Sequence, residues 1–306
     1  MSDIFWKLLA NCIPNKEKRR QFRRKHLAQI DIEKRLSMLE TFFTEQMALM
    51  TGQISLNVQR AISVAHLHAQ TFAPFKYKHV GQNVVLMGAG PTVRYFEPLK
   101  DARVYIGLNR ACLFDKVHFD YLFSIDKVGL VGCEKEFFSY DCVKFIGDQN
   151  ISKEYQIPEN FGANDPSVKK YKTTHNYLPG YIAKDIDTAA IYNSASVSVQ
   201  AMQFALFTSP AKIYLVGIDC TTASKQHFTG PTLDLKQLRN EDVACNDCAV
   251  ISDWHRIKEF AEMYYPQTKI ISVNPVGLKG LFEDIYTESY LKEHLDIEQG
   301  SVNIYH

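Results

Sequence analysis

The hydrophobic positions of the chain follow two patterns, one before residue 75 and one after it. Between residues 28 and 72, apolar residues from Ile32 to Ala61 recur at steps of three and four, the spacing of one stripe along a helix. Pro74 ends the pattern. We predict a long helix over 28–75 that forms a coiled coil or helical hairpin between subunits, or else packs across its own domain.

From residue 83, short apolar runs alternate with helical patterns. The predicted strands are Val84–Met87, Val104–Leu108, Tyr121–Ser124, Cys142–Ile146, Lys212–Val216 and Lys269–Val273. The predicted helices are 92–98, 128–138, 194–207 and 254–265. This alternation predicts an α/β fold with a doubly wound, mostly parallel sheet over residues 83–285.

Small or polar residues follow most of these strands directly. They are Gly88, Asn109, Asp126, Gly217 and Asn274. Because ligands of open parallel sheets bind beyond the carboxyl ends of the strands, we expect the functional site at this edge. Residues 149–190 show little periodicity and are predicted to form a lid or substrate-binding insertion, and 286–306 a tail.

The clearest local signal is the segment Gly88-Ala89-Gly90-Pro91-Thr92 after the first strand. The glycines allow a tight turn and close approach to a ligand, and Pro91 suits the first turn of a helix. The free N–H groups of a helix over 92–98 would then face a phosphate. The alternative is a purely structural turn, since Val93 stands where a dinucleotide fingerprint has its third glycine.

Composition narrows the class of protein. The chain has 306 residues, 46% of them hydrophobic, and a net charge of +1, so no overall field favours nucleic acid. Seven scattered cysteines are typical of a reducing compartment. No apolar run reaches the ~18 residues of a membrane span, and no signal peptide is recognised. We therefore expect a cytoplasmic protein.

The first 27 residues combine an apolar cluster with a basic run. Ile4 to Leu9 are mostly apolar, and residues 16–26 hold seven Lys or Arg and one acid. This combination predicts a surface-binding segment that contacts the cytoplasmic face of a membrane. A solvated arm, or an arm that packs on a partner subunit, would show the same composition.

Four motifs in order carry a family resemblance: GAGPT at 88–92, GLNRA at 107–111, NSAS at 193–196 and GID at 217–219. The chain resembles the bacterial sialyltransferases of glycosyltransferase family 42 and their relatives of the motility-accessory-factor type, over residues 83–285. The resemblance implies a GT-A-like variant of the doubly wound fold that binds a CMP-activated sugar without an essential metal.

The resemblance also implies roles for residues. Gly88, Ala89, Gly90, Pro91 and Thr92 would lie near the nucleotide, although Ala89 replaces an Asn of that family. Asn109 would reach the nucleotide or donor sugar, and Asp126 falls where the family has another Asn. The loop that would hold the phosphate at a helix start contains Asn193, Ser194 and Ser196.

Sugar transfer also needs a base for the acceptor hydroxyl and stabilisation of the leaving phosphate. His227 and His255 lie in the interval where the family keeps its base, and Asp126 or Asp219 are alternatives. Tyr177 or Tyr181 could stabilise the negative charge on the leaving phosphate.

Two metal sites are conceivable. Asp185 and Asp187 have the spacing of a DxD motif, and Cys245 and Cys248 could join Cys220 and His227 around zinc. Neither is favoured, since the acidic pair follows no strand and a second CxxC is missing.

We therefore predict a glycosyltransferase that moves sialic acid or a related ulosonic acid from a CMP donor to a surface glycan or lipid-linked glycan, in polysaccharide or lipooligosaccharide synthesis. It would be cytoplasmic, peripheral on the inner membrane face, and a homo-oligomer through 28–72. The alternatives are an ATP-dependent pyrophosphokinase-type enzyme and a non-catalytic assembly protein.

Overall fold

The computed structural model describes residues 8–148, 157–158, 161–162, 164–174, 181–194, 196–220, 226–227, 230–231, 246–294 and 303–305. The chain divides into two compact units, Met1–Arg60 and Ala61–His306. Among the described residues no helix is both long and apolar enough to cross a membrane.

The long helix, α1, spans Lys16–Phe72 and is 57 residues long; it follows a short helical segment at residues 8–11. It begins at Lys16 because the Asn15 side chain accepts hydrogen bonds from the N–H groups of Glu17 (3.0 Å) and Lys18 (3.1 Å). The helix therefore starts before the predicted residue 28 and includes the basic run. Large apolar side chains of its predicted stripe are exposed, among them Ile32, Leu36, Phe43, Met47 and Ile54.

The last turns of α1 belong to the second unit and pack into its core. Phe72 is fully buried and stacks on Phe145 with 5.4 Å between ring centroids. His68 is also fully buried: its Nε2 accepts the Lys172 N–H at 2.8 Å, and its Nδ1 lies 2.8 Å from the Ile186 carbonyl. Because the ring is buried, its pKa is lowered and it is neutral. A 3-10 turn, Ala73–Phe75, follows.

One sheet organises the second unit. Its nine strands are β1 (Asn83–Met87), β2 (Ala102–Leu108), β3 (Tyr121–Ser124), β4 (Val143–Asp148), β5 (Val168–Lys172), β6 (Lys212–Val216), β9 (Lys269–Val273), β10 (Glu283–Thr287) and β11 (Asn303–Tyr305). The spatial order is β11-β10-β9-β6-β1-β2-β3-β4-β5. Every neighbouring pair is parallel. The predicted doubly wound α/β fold with a long amino-terminal helix is confirmed.

Two short strands, β7 (Gln226–His227) and β8 (Gly230–Pro231), form a separate antiparallel pair. The remaining helices are α2 (Lys127–Leu130), α3 (Glu134–Ser139), α4 (Val197–Phe207), α5 (Asn246–Tyr264) and α6 (Glu288–Glu293). All eleven residues of α4 are buried, since this helix packs on β1, β2 and β3 and is covered by α5. Because α4 is covered on all sides, its sequence is mostly apolar and its few polar residues are buried as well.

The carboxyl end of α4 lies at the amino edge of the sheet, because the carbonyls of Phe207 and Thr208 accept the N–H groups of Tyr77 and His79 just before β1. At 1.5 Å per residue the helix is about 16 Å long, so its amino end lies at the carboxyl edge. The loop before α4 therefore joins the strand ends where the predicted site residues lie.

Several predicted elements differ from the structure, and β10 and α6 were not predicted. Residues 128–138 form α2 and α3 rather than one helix, since Gly132 has φ +78° between them. The insertion 149–190, expected to lack regular elements, contains β5, and the tail supplies β11. Residues 91–95 form a 3-10 turn instead of an α-helix over 92–98. Finally, α5 begins eight residues earlier than expected, at Asn246.

Candidate functional site

The sheet has its topological switch point between β1 and β6. From β1 the chain adds β2 to β5 on one side, and β6, β9, β10 and β11 on the other. The carboxyl ends of β1, β2 and β6 lie side by side here, because Met87 pairs with both Gly107 and Val216. Diverging connections leave a crevice at such a point, where ligands of open α/β sheets bind.

The glycine turn after β1 packs against the segment that follows β6. The N–H of Gly88 donates to the Val216 carbonyl (2.8 Å), and that of Gly90 to the Gly217 carbonyl (2.9 Å). A Cβ on Gly90 would lie only 2.5 Å from Cγ of Asp219, and one on Gly88 would collide with the Gly217 carbonyl. Glycine is therefore required here by the close approach of the protein's own chain.

Thr92 and Asp219 join the two segments across the switch point. The Thr92 hydroxyl donates to Oδ1 of Asp219 at 2.5 Å, and the Thr92 N–H donates to Oδ2 at 3.1 Å. Both residues are buried. Burial raises the pKa of the Asp219 carboxyl, and the two hydrogen bonds from Thr92 oppose that rise.

These contacts use N–H groups of the glycine turn that a bound phosphate would otherwise accept from. The segment from Gly88 to Thr92 is predicted to approach a phosphate closely, and the N–H groups of Gly88, Gly90 and Thr92 already donate within the protein. Asp219 places a carboxylate at the start of the 3-10 turn Pro91–Tyr95, where the phosphate was expected. Ala89, Gly90 and Pro91 remain partly exposed, so contact with a ligand here would use their outward surface.

Asn109 follows β2 directly and begins the 3-10 turn Asn109–Leu113. Its φ is +50°, a left-handed conformation that asparagine tolerates better than most residues. The Oδ1 atom is buried and has no hydrogen-bond partner among the described residues. An unsatisfied buried oxygen costs about 1–3 kcal/mol, which a ligand N–H or hydroxyl donor would offset.

Asp126 lies beside this asparagine, after β3. Its Oδ1 accepts the N–H of Gly129 at 2.7 Å and so caps α2. The Asn109 side chain packs against the same glycine, where a Cβ would lie 2.5 Å from the Asn109 Cγ. The Asp126 carboxylate therefore positions the turn that holds Asn109.

The loop before α4 supplies the third set of predicted residues. Oγ of Ser196 accepts the Ser198 N–H at 3.3 Å and caps α4, while Oγ of Ser194 accepts the Ser196 N–H at 3.2 Å. Asn193 donates its N–H to Oγ1 of Thr174 at 2.9 Å, and its Oδ1 is buried without a partner among the described residues. Two unsatisfied amide oxygens thus lie in the segments expected to bind a ligand.

A polar network that the sequence did not reveal holds this loop in place. The Tyr192 hydroxyl donates to Oδ1 of Asp253 at 2.7 Å and accepts from Nη1 of Arg256 at 2.9 Å. Gln203 accepts the Tyr192 N–H at 2.9 Å. Burial and the bond to Asp253 raise the pKa of Tyr192, so the phenol keeps its proton. Asp253 and Arg256 are three residues apart on α5, a spacing that places them on one helix face.

Asn274, also predicted to lie at the strand ends, has a structural role. It is buried, its Nδ2 donates to Oγ1 of Thr287 at 3.0 Å, and its Oδ1 accepts the Thr287 N–H at 2.9 Å. These bonds join the carboxyl ends of β9 and β10.

The predicted bases lie in different places. The His227 backbone forms part of β7, but its side chain is outside the described residues. His255 is exposed in the middle of α5, next to the fully buried Trp254. Tyr181 is exposed, and Tyr177 lies outside the described residues. The catalytic roles of His227, His255 and Asp219 stay predictions.

The acidic pair of the candidate DxD motif binds a lysine. Nζ of Lys76 lies 2.7 Å from Oδ1 of Asp185 and 3.3 Å from Oδ2 of Asp187. Lys76 immediately precedes Tyr77, which bonds to the end of α4, so the pair is at the amino edge, opposite the strand ends. Cys245 and Cys248 lie outside the residues whose side chains are described. Among those described, no group of three or more His, Cys, Asp or Glu could hold a metal ion.

Comparison with known proteins gives matches to solved structures only. No family model matches the chain, and no curated protein matches it. The sialyltransferase CstII of Campylobacter jejuni, in complex with the substrate analogue CMP-3FNeuAc, is 15% identical with a TM-score of 0.40, and the match covers 66% of this chain and 85% of that one. The monofunctional α-2,3-sialyltransferase Cst-I of the same organism is 17% identical with a TM-score of 0.42, covering 63% and 75%.

A CstII structure with cytidine-5′-monophosphate is 13% identical, with a TM-score of 0.36 and coverage of 62% and 79%. The structural neighbours are therefore sialyltransferases, the family that the sequence motifs resemble. At this identity and TM-score, the activity has to be argued from the site itself.

Proposed function

We propose that the protein is a glycosyltransferase that transfers sialic acid or a related ulosonic acid from a CMP donor to a surface glycan. The observation that carries the proposal is the meeting of three segments at one edge of the sheet. The turns after β1 and β2 and the loop before α4 are the segments whose motifs resemble the sialyltransferases. Parallel strand order and the direction of α4 bring them together although they are far apart in sequence.

The unsatisfied amide oxygens at the carboxyl edge of the sheet favour a ligand that donates hydrogen bonds. Oδ1 of Asn109 and Oδ1 of Asn193 can only accept hydrogen bonds, so they suit the amino group of a cytosine or the hydroxyls of a ribose or sugar. Serine hydroxyls at the start of α4 can donate to a phosphate. Together these groups fit a nucleotide sugar, which carries both kinds of partner.

The ATP-dependent alternative receives no support from the acidic pair. Asp185 and Asp187 bind Lys76 at the opposite edge of the sheet, so they are not placed to hold Mg²⁺ on a triphosphate bound at the strand ends. We therefore retain CMP-sugar transfer as the leading function.

The proposal is tested by thermal unfolding with CMP, UDP, GDP and ATP, the last with and without Mg²⁺. Selective stabilisation by CMP is expected, by about 2.7 kcal/mol at a hundredfold excess over Kd. Asn109→Asp is the matched variant: it tolerates the left-handed backbone but places a negative charge beside the ligand. We expect its CMP affinity to fall at least tenfold. Stabilisation by ATP alone, or by no nucleotide, would contradict the proposal.

The exposed apolar stripe of α1 supports a second proposal, self-association. Phe43 and Met47 are each 62% exposed on a helix of 57 residues, which is unfavourable unless another surface covers them. We propose that a second copy of the chain supplies this surface. The basic run at the start of α1 supports peripheral contact with the anionic cytoplasmic face of a membrane, where lipid-linked acceptors are assembled.

A further inference from the structure

Aromatic rings cluster where β10 ends and α6 begins, among them Tyr95, Tyr286, Tyr290 and His294. The Tyr95 and Tyr290 rings meet edge to face with centroids 5.3 Å apart, and the His294 ring stacks on Tyr290 at 4.0 Å. Tyr95 belongs to the 3-10 turn that follows the glycine turn. The cluster therefore extends from the switch point along the carboxyl edge of the sheet to the end of α6.

Hydrogen bonds fix α6 against this turn. The Tyr95 hydroxyl donates to Oε2 of Glu293 at 2.5 Å, and Oγ of Ser289 donates to the Tyr95 carbonyl at 3.2 Å. Arg94 also binds the Tyr95 hydroxyl and lies over its ring. These contacts hold the end of α6 in a defined position relative to the glycine turn.

The orientation of the His294 ring is defined as well. Its Nδ1 lies 2.9 Å from the Tyr290 carbonyl oxygen. A carbonyl only accepts hydrogen bonds, so Nδ1 carries the proton and the lone pair of the neutral ring is on Nε2. Nε2 has no hydrogen-bond partner among the described residues, and the side chain is exposed. This tautomer can accept a proton.

The ring is also close to the groups of the candidate site. Thr92, in the 3-10 turn Pro91–Tyr95, bonds Asp219 at the switch point. At the end of the same turn, the Tyr95 ring contacts Tyr290 and lies 5.7 Å from the His294 ring, centroid to centroid. This turn therefore links the switch point to His294.

We infer that His294 is the proton acceptor for the acceptor hydroxyl. The inference rests on the proposed function. Nε2 of His294 takes the proton of the hydroxyl, whose oxygen bonds to the anomeric carbon of the donor sugar. The bond between that carbon and the phosphate oxygen breaks, and CMP leaves with the electron pair. The imidazolium then releases its proton to water.

The structure favours His294 over the other described candidates. His255 is exposed in the middle of α5, and the Asp219 carboxylate already accepts two hydrogen bonds from Thr92. His294 combines exposure, a fixed ring and an Nε2 that has no hydrogen-bond partner in the described part of the chain, at the edge where the strands end. His294 lies on the β10 side of the switch point and Asn109 on the β2 side, so a donor bound across the switch point would lie between them.

The test uses the full-length chain with His294→Ala, and with His118→Ala as the matched control, since His118 is also exposed and stacks on a tyrosine, Tyr140. CMP release from a CMP-sugar is measured with water as the acceptor, so that the natural acceptor need not be known. We expect His294→Ala to lower kcat by ~10²–10⁴ with CMP affinity and melting temperature near wild type. Added imidazole should restore part of the loss, which a merely structural role would not allow. His118→Ala should remain active, because His118 precedes β3 at the opposite edge of the sheet.

The outcomes separate the two proposals. Full turnover by His294→Ala, or a loss that imidazole does not restore, would overturn the assignment of His294 while leaving the glycosyltransferase proposal intact. Loss of turnover in His227→Ala with normal turnover in His294→Ala would assign the base to His227 instead. A wild-type chain that neither binds CMP nor consumes a CMP-sugar contradicts the proposed function itself.

Discussion

Replacing Thr92 by valine tests how strongly the two halves of the sheet are joined at the switch point. The variant keeps the size and branching of the side chain but removes the hydroxyl that donates to Asp219 at 2.5 Å. A hydrogen bond to a charged acceptor contributes about 1.5–3 kcal/mol. The additional buried methyl group returns about 0.8 kcal/mol, so we expect the free energy of unfolding to fall by about 1–2 kcal/mol.

The loss should depend on pH because it acts through the Asp219 carboxylate. Burial raises the pKa of this carboxyl in the folded state, and Thr92 opposes the rise. A raised pKa means that the folded state favours the protonated acid, so stability falls as the pH rises through that pKa. With the hydroxyl gone the pKa rises further, and the valine variant should lose more stability between pH 4 and pH 7 than the wild type.

The assay is urea unfolding at pH 4 and pH 7, followed by fluorescence, with Thr92→Ser as the control that retains the hydroxyl. The serine variant should be nearly as stable as the wild type. If the valine and serine variants differed by less than 0.5 kcal/mol at pH 7, or if their difference shrank from pH 4 to pH 7, the reasoning would be refuted.

Two further predictions concern glycine and self-association. Gly90→Ala should destabilise the fold by about 1–3 kcal/mol, because the added Cβ would overlap Asp219. Gly52→Ala in α1, where the added Cβ would have nothing within 4 Å, should stabilise the helix by about 0.5–1 kcal/mol. Calorimetry measures the stability of both variants. Phe43→Glu should reduce the particle mass measured by light scattering, because it places a charge in the exposed apolar stripe of α1. Ser55→Glu, which lies outside the stripe, should leave the mass unchanged. Equal masses for the wild type and Phe43→Glu would refute self-association through α1.

Much of the sheet could be predicted because its strands are buried on both faces. β3, β6 and β9 have the predicted bounds, because short continuous apolar runs are typical of strands that are covered on both faces of a parallel sheet. β5 was missed because its sequence, VKKYK, is that of an edge strand, where lysines are tolerated and discourage further pairing.

The sequence predicts a location for the site but not its contacts. Gly88 and Asn109 lie at the carboxyl edge of the sheet, as expected, because that depends only on strand order. The bonds of Thr92 with Asp219, 127 positions away, depend on how two distant segments approach, and no local pattern encodes that distance. The phosphate cradle at the glycine turn stays a prediction, and the N–H groups of Gly88, Gly90 and Thr92 bind the protein itself.

The hydrogen bonds of Tyr192 could not be predicted from the sequence either. Its partners are 61 and 64 positions away, on α5. The i, i+3 spacing of Asp253 and Arg256 is an available signal, but ion pairs at this spacing are common on solvated helix faces. Only the three-dimensional structure shows that this pair holds the loop before α4.

The most direct test of the central claim is hydrogen–deuterium exchange of the full-length chain with and without CMP. We predict that CMP slows exchange at the carboxyl edge, in segments 88–92, 107–112 and 192–198, and leaves the amino edge at 76–80 and 184–188 unchanged. UDP at the same concentration should give less protection. Protection confined to the amino edge, or no protection by CMP at a concentration that would saturate a micromolar site, would contradict the account.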